Sequence, residues 1–292
     1  MNIQKTMTNK ENSVTALEDF IDLEKVISGK NPKLLNILPG FILSYLKRII
    51  HQDEINKAIR ENRHLYGLDF LDAILKNFGA RIHIRGLENV NPVGKCTVAA
   101  NHPLGGLDGM ALMWAVGKVR KDVAFPVNDL LMNLDNLKEL FIPINKHGSN
   151  AGNARLIDET YASEKAILYF PAGLCSRKGK GEICDLEWKK SFITKTRVHQ
   201  RDIIPAYIEG RNSERFYNLA RWRSRLRIKA NIEMLYLVDE MYKQRNKDIS
   251  ITFGKRIPFT EFDRRYKDIA WAQLLKAHVY SLNKNPEAAF SV

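Results

Sequence analysis

From Ala80 to Phe253 the chain repeats one pattern: a short apolar run, a turn, then a stretch of helical periodicity. The runs are RIHIRG, Cys96 to Ala100, Val123 to Pro126, Phe141 to Ile144, Ala166 to Phe170, Asp202 to Tyr207 and Ile249 to Phe253. The helical stretches between them cover Gly109 to Gly117, Leu130 to Glu139, Ala151 to Ser163 and Lys189 to His199, followed by a basic amphipathic stretch from Phe216 to Tyr242. A parallel neighbour is reached only through a crossover, usually helical, so this alternation predicts an α/β fold: a largely parallel sheet flanked by helices, closed by a helix from Asp268 to Leu282. The preceding residues read differently. Residues 1–15 are polar and irregular, a disordered lead-in by composition. Residues 16–78 form an N-terminal helical region, with periodicity in Ala16 to Ile27, Phe41 to Ile50, Glu54 to Arg60 and Leu68 to Phe78.

Composition narrows the function classes. With 292 residues, 45% of them hydrophobic, the chain can bury a sizeable core. Its net charge of +13 predicts an anionic partner: nucleic acid, an acidic membrane surface, or a phosphorylated or carboxylated substrate. Cys96, Cys175 and Cys184 form no CxxC pair, and their odd number excludes a fully paired disulfide framework, so a reducing compartment is expected. The first twenty residues have no apolar core behind their lysines, unlike a secretory signal. The most apolar long segment, Leu34 to Leu46, has Pro39-Gly40 at its centre and falls short of the roughly 20 residues a bilayer span requires.

Sites in open α/β sheets lie beyond the carboxyl ends of strands, which directs attention to four junctions. In TVAANHPLGGLDG a strand ends at Asn101-His102, and a turn through Gly105 and Gly106 leads to Asp108. His102 and Asp108 are six positions apart, so no helical face presents both, and only the glycine turn can bring them together. A neutral histidine oriented by a carboxylate is suited to deprotonating a hydroxyl. The second junction, LFIPINKHGSN, puts Lys146 after a strand. The third, AILYFPAGLCSRKGKG, has Gly173 at a bend, then Ser176 and Arg177 on a basic loop that suits phosphate or carboxylate. The fourth, DIIPAYIEGR, carries Pro205 in a buried strand.

These four junctions, in this order, resemble the glycerolipid acyltransferase superfamily, the lysophospholipid or 1-acylglycerol-3-phosphate acyltransferases. Asn101, His102 and Asp108 match its first block; Ile144, Asn145 and Lys146 match the second, with Asn and Lys for Asp and Arg. Phe170, Pro171, Gly173, Ser176 and Arg177 match the third, and Ile204 and Pro205 the fourth, while the late strand ending at Gly254 also looks like the family. Three features depart from the pattern. Five residues rather than four separate His102 from Asp108, Ala172 stands where the family has Glu, and an extra Cys175 precedes Ser176. The HPLGGLDG form is similar to a branch carrying a hemolysin label, akin to bacterial enzymes that O-acylate lyso-ornithine or lyso-glycine lipids.

The resemblance implies an acyltransferase α/β domain over 80–285. His102 would take the proton of an acceptor hydroxyl attacking an acyl thioester, and Asp108 would orient the imidazole. Asn101, Gly105 and Gly106 would support the turn, and Lys146, Gly173, Ser176 and Arg177 would bind the acceptor. The donor would be acyl carrier protein or acyl-CoA, the acceptor a lysolipid. No cofactor and no metal is expected.

The run ARWRSRLRIK alternates Arg221, Arg223 and Arg225 with Trp222 and Leu226, which suits peripheral contact with an anionic membrane on its inner face. Three other readings remain. A basic nucleic-acid-binding protein lacks any specific motif in this chain, and no nucleic-acid partner is expected. A serine or cysteine hydrolase acting through Ser176 or Cys175 lacks the GxSxG elbow. A lipid-binding pseudoenzyme would account for the altered spacing and Ala172.

Overall fold

The computed structural model describes residues 19–128, 131–144, 151–179, 181–228 and 232–291. The lead-in expected over residues 1–15 lies outside them. Five helices come first: α1 (Leu23–Lys30), α2 (Pro32–Ile37), α3 (Gly40–Ile49), α4 (Gln52–Glu61) and α5 (Gly67–Phe78). Strands and helices then alternate through β1 (Arg81–Arg85), β2 (Cys96–Ala100), α6 (Gly106–Gly117), β3 (Val123–Val127), β4 (Phe141–Pro143), α7 (Ala151–Ala162) and β5 (Ala166–Tyr169). Next come a ribbon of β6 (Arg177–Lys178) and β7 (Ile183–Cys184), then α8 (Ser191–Val198), β8 (Asp202–Ile208), α9 (Glu214–Arg225), α10 (Leu237–Tyr242), β9 (Asp248–Phe253) and α11 (Asp268–Ser281).

Seven strands form one sheet in the order β1-β9-β8-β2-β5-β3-β4. Five neighbouring pairs run parallel, and β8 with β9 is the one antiparallel join. The expected α/β architecture is therefore present, with the β1-β9 pair reversed against the other five strands. The centre of the sheet is apolar on both faces, as a strand covered by helices on either side must be. Every residue of β2 is buried. Val98 and Ala100 face a cluster with Phe70, Leu71 and Leu75 of α5 and Leu107, Leu112 and Val116 of α6. Ala99 faces the opposite cluster, built from Phe192 of α8, Trp271 and Leu275 of α11, and Trp188.

Several elements differ from the expectation, each for a physical reason. Helix α6 starts at Gly106, so Asp108 lies inside its first turn. The stretch read as helix over Leu130 to Glu139 is two short 3₁₀ segments, Leu131–Asn133 and Asp135–Leu140. Here Leu137 and Leu140 bury at a three-residue spacing that the tighter helix satisfies. The amphipathic stretch from Phe216 to Tyr242 is α9, a 3₁₀ segment Ile232–Tyr236, and α10. The N-terminal helices are fastened to this part of the chain: the His51 ring stacks on Tyr242 at 3.8 Å, and the Tyr45 hydroxyl meets that of Tyr236 at 2.9 Å. Among the described residues no helix is long and apolar enough to cross a membrane.

Candidate active site

The centre of the sheet positions the first junction. The β2 backbone stops pairing at Ala100, and the Asn101 side chain continues in its place. Its Oδ1 accepts from the Ile208 N–H at 2.6 Å and its Nδ2 donates to the Ile208 carbonyl at 2.9 Å. The chain then bends through Gly105 at φ +87°, a conformation L side chains rarely adopt, and a Cβ there would press into Leu237 at 2.8 Å. Gly106 opens α6, and Asp108 reaches back from its first turn. One carboxylate oxygen, Oδ2, accepts from the Leu104 N–H at 2.8 Å, the Gly105 N–H at 3.0 Å and the His102 Nδ1 at 3.0 Å. The extra residue between His102 and Asp108 is absorbed within this turn.

An oxygen that already receives two backbone N–H groups is a committed acceptor, so Nδ1 carries the proton and the lone pair of a neutral ring sits on Nε2. The ring is 17% exposed and stacks on Phe170 at 4.2 Å with 13° between planes. Burial alone would lower its pKa; the Cys175 sulfur and Asp108 beside it outweigh burial and hold the imidazole above its ordinary value. Burial also pushes the Asp108 carboxyl up, against the pull of His102 and the Leu104 and Gly105 amides. The fully buried Asp108 leaves Oδ1 without a partner among the described residues. The pair is thus a base of raised proton affinity oriented by a buried carboxylate, open to solvent on the histidine side only.

The third junction packs against this pair. After β5 the chain turns through Phe170 to Gly173, closed by the Gly173 N–H on the Phe170 carbonyl at 3.0 Å, with Gly173 at φ +66°. Ser176 is buried; its N–H donates to the His102 carbonyl at 2.8 Å and its hydroxyl donates to Asp185 Oδ1 at 2.7 Å. The same Asp185 oxygen accepts from the His102 N–H at 3.1 Å, and Oδ2 accepts from the Trp188 indole at 2.8 Å. Asp185 therefore joins the histidine strand end to the Ser176 loop. No pattern in the sequence around it announces this, because its partners are assembled by the β6-β7 ribbon and by Trp188. Ala172 belongs to the buried cluster with Trp188 and Phe192, facing apolar neighbours rather than an open site.

Arg177 points inward. Its guanidinium donates to the Cys175 carbonyl at 2.8 Å and to Glu233 at 3.2 Å, and lies 5.3 Å from the Phe216 ring centre. Arg223 pairs with the same buried Glu233 at 2.8 Å, whereas Arg221, Trp222 and Arg225 of α9 are exposed. Lys146 lies outside the described residues. At the fourth junction Ile204 and Pro205 are buried in β8, and the Pro205 carbonyl accepts from the Gly254 N–H at 2.8 Å. The structure thus brings His102, Asp108, Gly105, Asn101 and Ser176 into one cluster with Cys175 and Asp185, and turns Arg177 away into a buried ion pair.

An α/β sheet with a histidine oriented by an aspartate at the carboxyl end of its central strand is built to move a proton to or from a substrate group. The chain belongs to the acyltransferase family, whose profile matches residues 25–288, and it is an acyltransferase. It is 48% identical over 265 residues to a lyso-glycine lipid O-acyltransferase of Phocaeicola vulgatus, covering 90% of this chain and 95% of the relative. The protein of the same name from Bacteroides thetaiotaomicron is 46% identical, with 90% and 97% covered. The crystal structure of the 1-acyl-sn-glycerophosphate (LPA) acyltransferase PlsC from Thermotoga maritima is similar at a TM-score of 0.47 and 16% identity, covering 76% of this chain and 83% of that one.

Proposed function

We propose that this enzyme transfers a fatty acyl group from a thioester of acyl carrier protein or coenzyme A to the hydroxyl of a lysolipid, and that its acceptor is amino-acid-headed, of the lyso-glycine type. The observation that carries the reading is the His102 Nδ1 contact to Asp108 at 3.0 Å, which leaves Nε2 as the proton acceptor. Both relatives named above are lyso-glycine lipid O-acyltransferases along nearly their whole lengths, and that supports the acceptor class.

In the reaction, His102 Nε2 takes the hydroxyl proton as the acceptor oxygen attacks the thioester carbonyl. The C–O bond forms, the C–S bond of the tetrahedral intermediate breaks, and the imidazolium returns the proton to the departing thiolate. Asp108 keeps Nδ1 protonated and stabilises the imidazolium without itself accepting a proton. No covalent acyl-enzyme is needed.

Substrate is met at the inner membrane face. Ile37 and Phe41, 76% and 75% exposed on the N-terminal helices, support this, together with Trp222 and Leu226 among the exposed Arg221, Arg225 and Arg227 of the α9 end. The Tyr45–Tyr236 contact joins the two patches through the segment that also carries Leu237 over Gly105.

The test is acyl transfer by purified protein from acyl carrier protein and coenzyme A thioesters to glycine-headed and phosphate-headed lysolipids. Transfer to the glycine-headed acceptor is expected, falling at least about 10³-fold in His102→Ala while circular dichroism is unchanged. Near-normal turnover by folded His102→Ala would defeat the assignment.

A further inference from the structure

Arg177, the cation expected to hold the acceptor's anionic head, is turned into Glu233. Lys178 is paired with Glu214, and the Lys276 ammonium donates to the carbonyls of Asp185 and Leu186. Lys189 is different. Its ammonium lies against the active-site turn, 3.1 Å from where a Cβ on Gly173 would be, and has no hydrogen-bond or ion-pair partner among the described residues. Its backbone is fastened to the same turn, since the Lys189 N–H donates to the Pro171 carbonyl at 3.1 Å. The preceding residue, Trp188, is fully buried and bonded to Asp185, so the direction in which the Lys189 side chain leaves the core is set. A Cβ at Gly173 would crowd that ammonium by a few tenths of an ångström, and the φ of +66° favours glycine there in any case.

The turn spans Phe170 to Gly173. Phe170 carries the His102 ring at one end and Gly173 meets Lys189 at the other, and the ends of a β-turn are less than about 7 Å apart at Cα. The His102 ring and the exposed Lys189 ammonium, unpaired among the described residues, thus lie against opposite ends of one turn. Lys189 also borders an open depression of about 590 Å³ with Lys190, Trp188, Ile269 and one carboxylate, Glu187.

We propose that Lys189 is the anchor for the acceptor's anionic head, and that the head it takes is a carboxylate. This rests on the acyl-transfer reading above. A glycine head has no hydroxyl of its own, so the hydroxyl that is acylated belongs to the chain it carries. Joined to that chain through nitrogen, glycine ends in a carboxylate, so the acceptor carries its charge at its head and its hydroxyl along the chain. The ammonium of Lys189 receives this carboxylate while the hydroxyl lies on His102, which fixes the orientation of a small head that offers little else to grip.

The experiment is equilibrium binding, without donor, of labelled N-(3-hydroxypalmitoyl)glycine, its methyl ester and lysophosphatidic acid to wild type, Lys189→Met and Lys189→Arg. Wild type is expected to bind the acid about tenfold more tightly than the ester, Lys189→Met to lose that preference with ester binding unchanged, and Lys189→Arg to keep most of it. In transfer assays Lys189→Met should raise KM for the acid about tenfold and change kcat less than about threefold. Lack of preference for the acid in wild type, or its survival in Lys189→Met, overturns the anchor. Equal dependence on Lys189 for lysophosphatidic acid overturns the carboxylate assignment. Lys189-dependent binding of the acid without any transfer by wild type would sink the acyl-transfer reading and leave the anchor standing.

Discussion

Two buried aspartates flank His102 and are held in opposite ways. Asp108 collects its partners from Leu104, Gly105 and His102, all within six residues, and places its carboxylate on the ring. Asp185 collects its partners from His102, Ser176 and Trp188, the first of them 83 residues away, and places its carboxylate on the backbone behind the ring. Asp108 can therefore act on the proton through its charge, and Asp185 only through position. Buried carboxylates near one histidine are thus not interchangeable, and the atom each one touches tells them apart.

Substitution tests that difference. Asp108→Asn should lower kcat about 10²- to 10⁴-fold, since the amide oxygen can still meet the two N–H groups and Nδ1 while the charge opposing the imidazolium is gone. Stability should fall by about 2 kcal/mol, because one partner of a buried pair is removed and the new amide nitrogen takes over the unpartnered Oδ1 position; thermal unfolding checks this. Asp185→Asn should lower kcat only about tenfold and destabilise the fold by about 2 kcal/mol, because an amide donor would face the Trp188 indole N–H. Chemical denaturation and a KM-against-kcat split read both effects. A 10³-fold kcat loss in Asp185→Asn, with a shifted His102 titration, would show that the two act alike and break the comparison.

Cys175→Ala should have the smallest effect. Cys175 raises the His102 pKa, so removing it lowers the histidine's titration midpoint. The active form of a base is unprotonated, so the acid limb of kcat/KM should move to lower pH. An unmoved limb would mean that Asp108 alone sets the ring's proton affinity.

The same contrast explains what was legible in the sequence. The strands of the seven-stranded sheet could be read because they are short apolar or alternating runs bounded by turns, and His102 with Asp108 could be paired because the glycine turn between them is local. Asp185 could not, since its neighbours DLEW carry no periodicity and its partners arrive through the fold. Arg177 was visible as a basic residue on a strand-end loop, but Glu233 lies 56 positions on, in a stretch that reads as basic and amphipathic and is divided among several elements in the structure. The cation beside Gly173, without a partner among the described residues, was equally hidden, because only the fold shows which lysines are paired.

Asn101 has one more consequence. By offering a carbonyl oxygen and an N–H to Ile208, its side chain serves as a surrogate peptide group, splicing one extra rung onto the ladder after the main chain has departed. The strand is thus longer in hydrogen bonds than in residues. The backbone of the next residue is released to turn while still clamped to the rigid centre of the sheet, so His102 takes the direction of a loop residue with the fixity of a strand in its position.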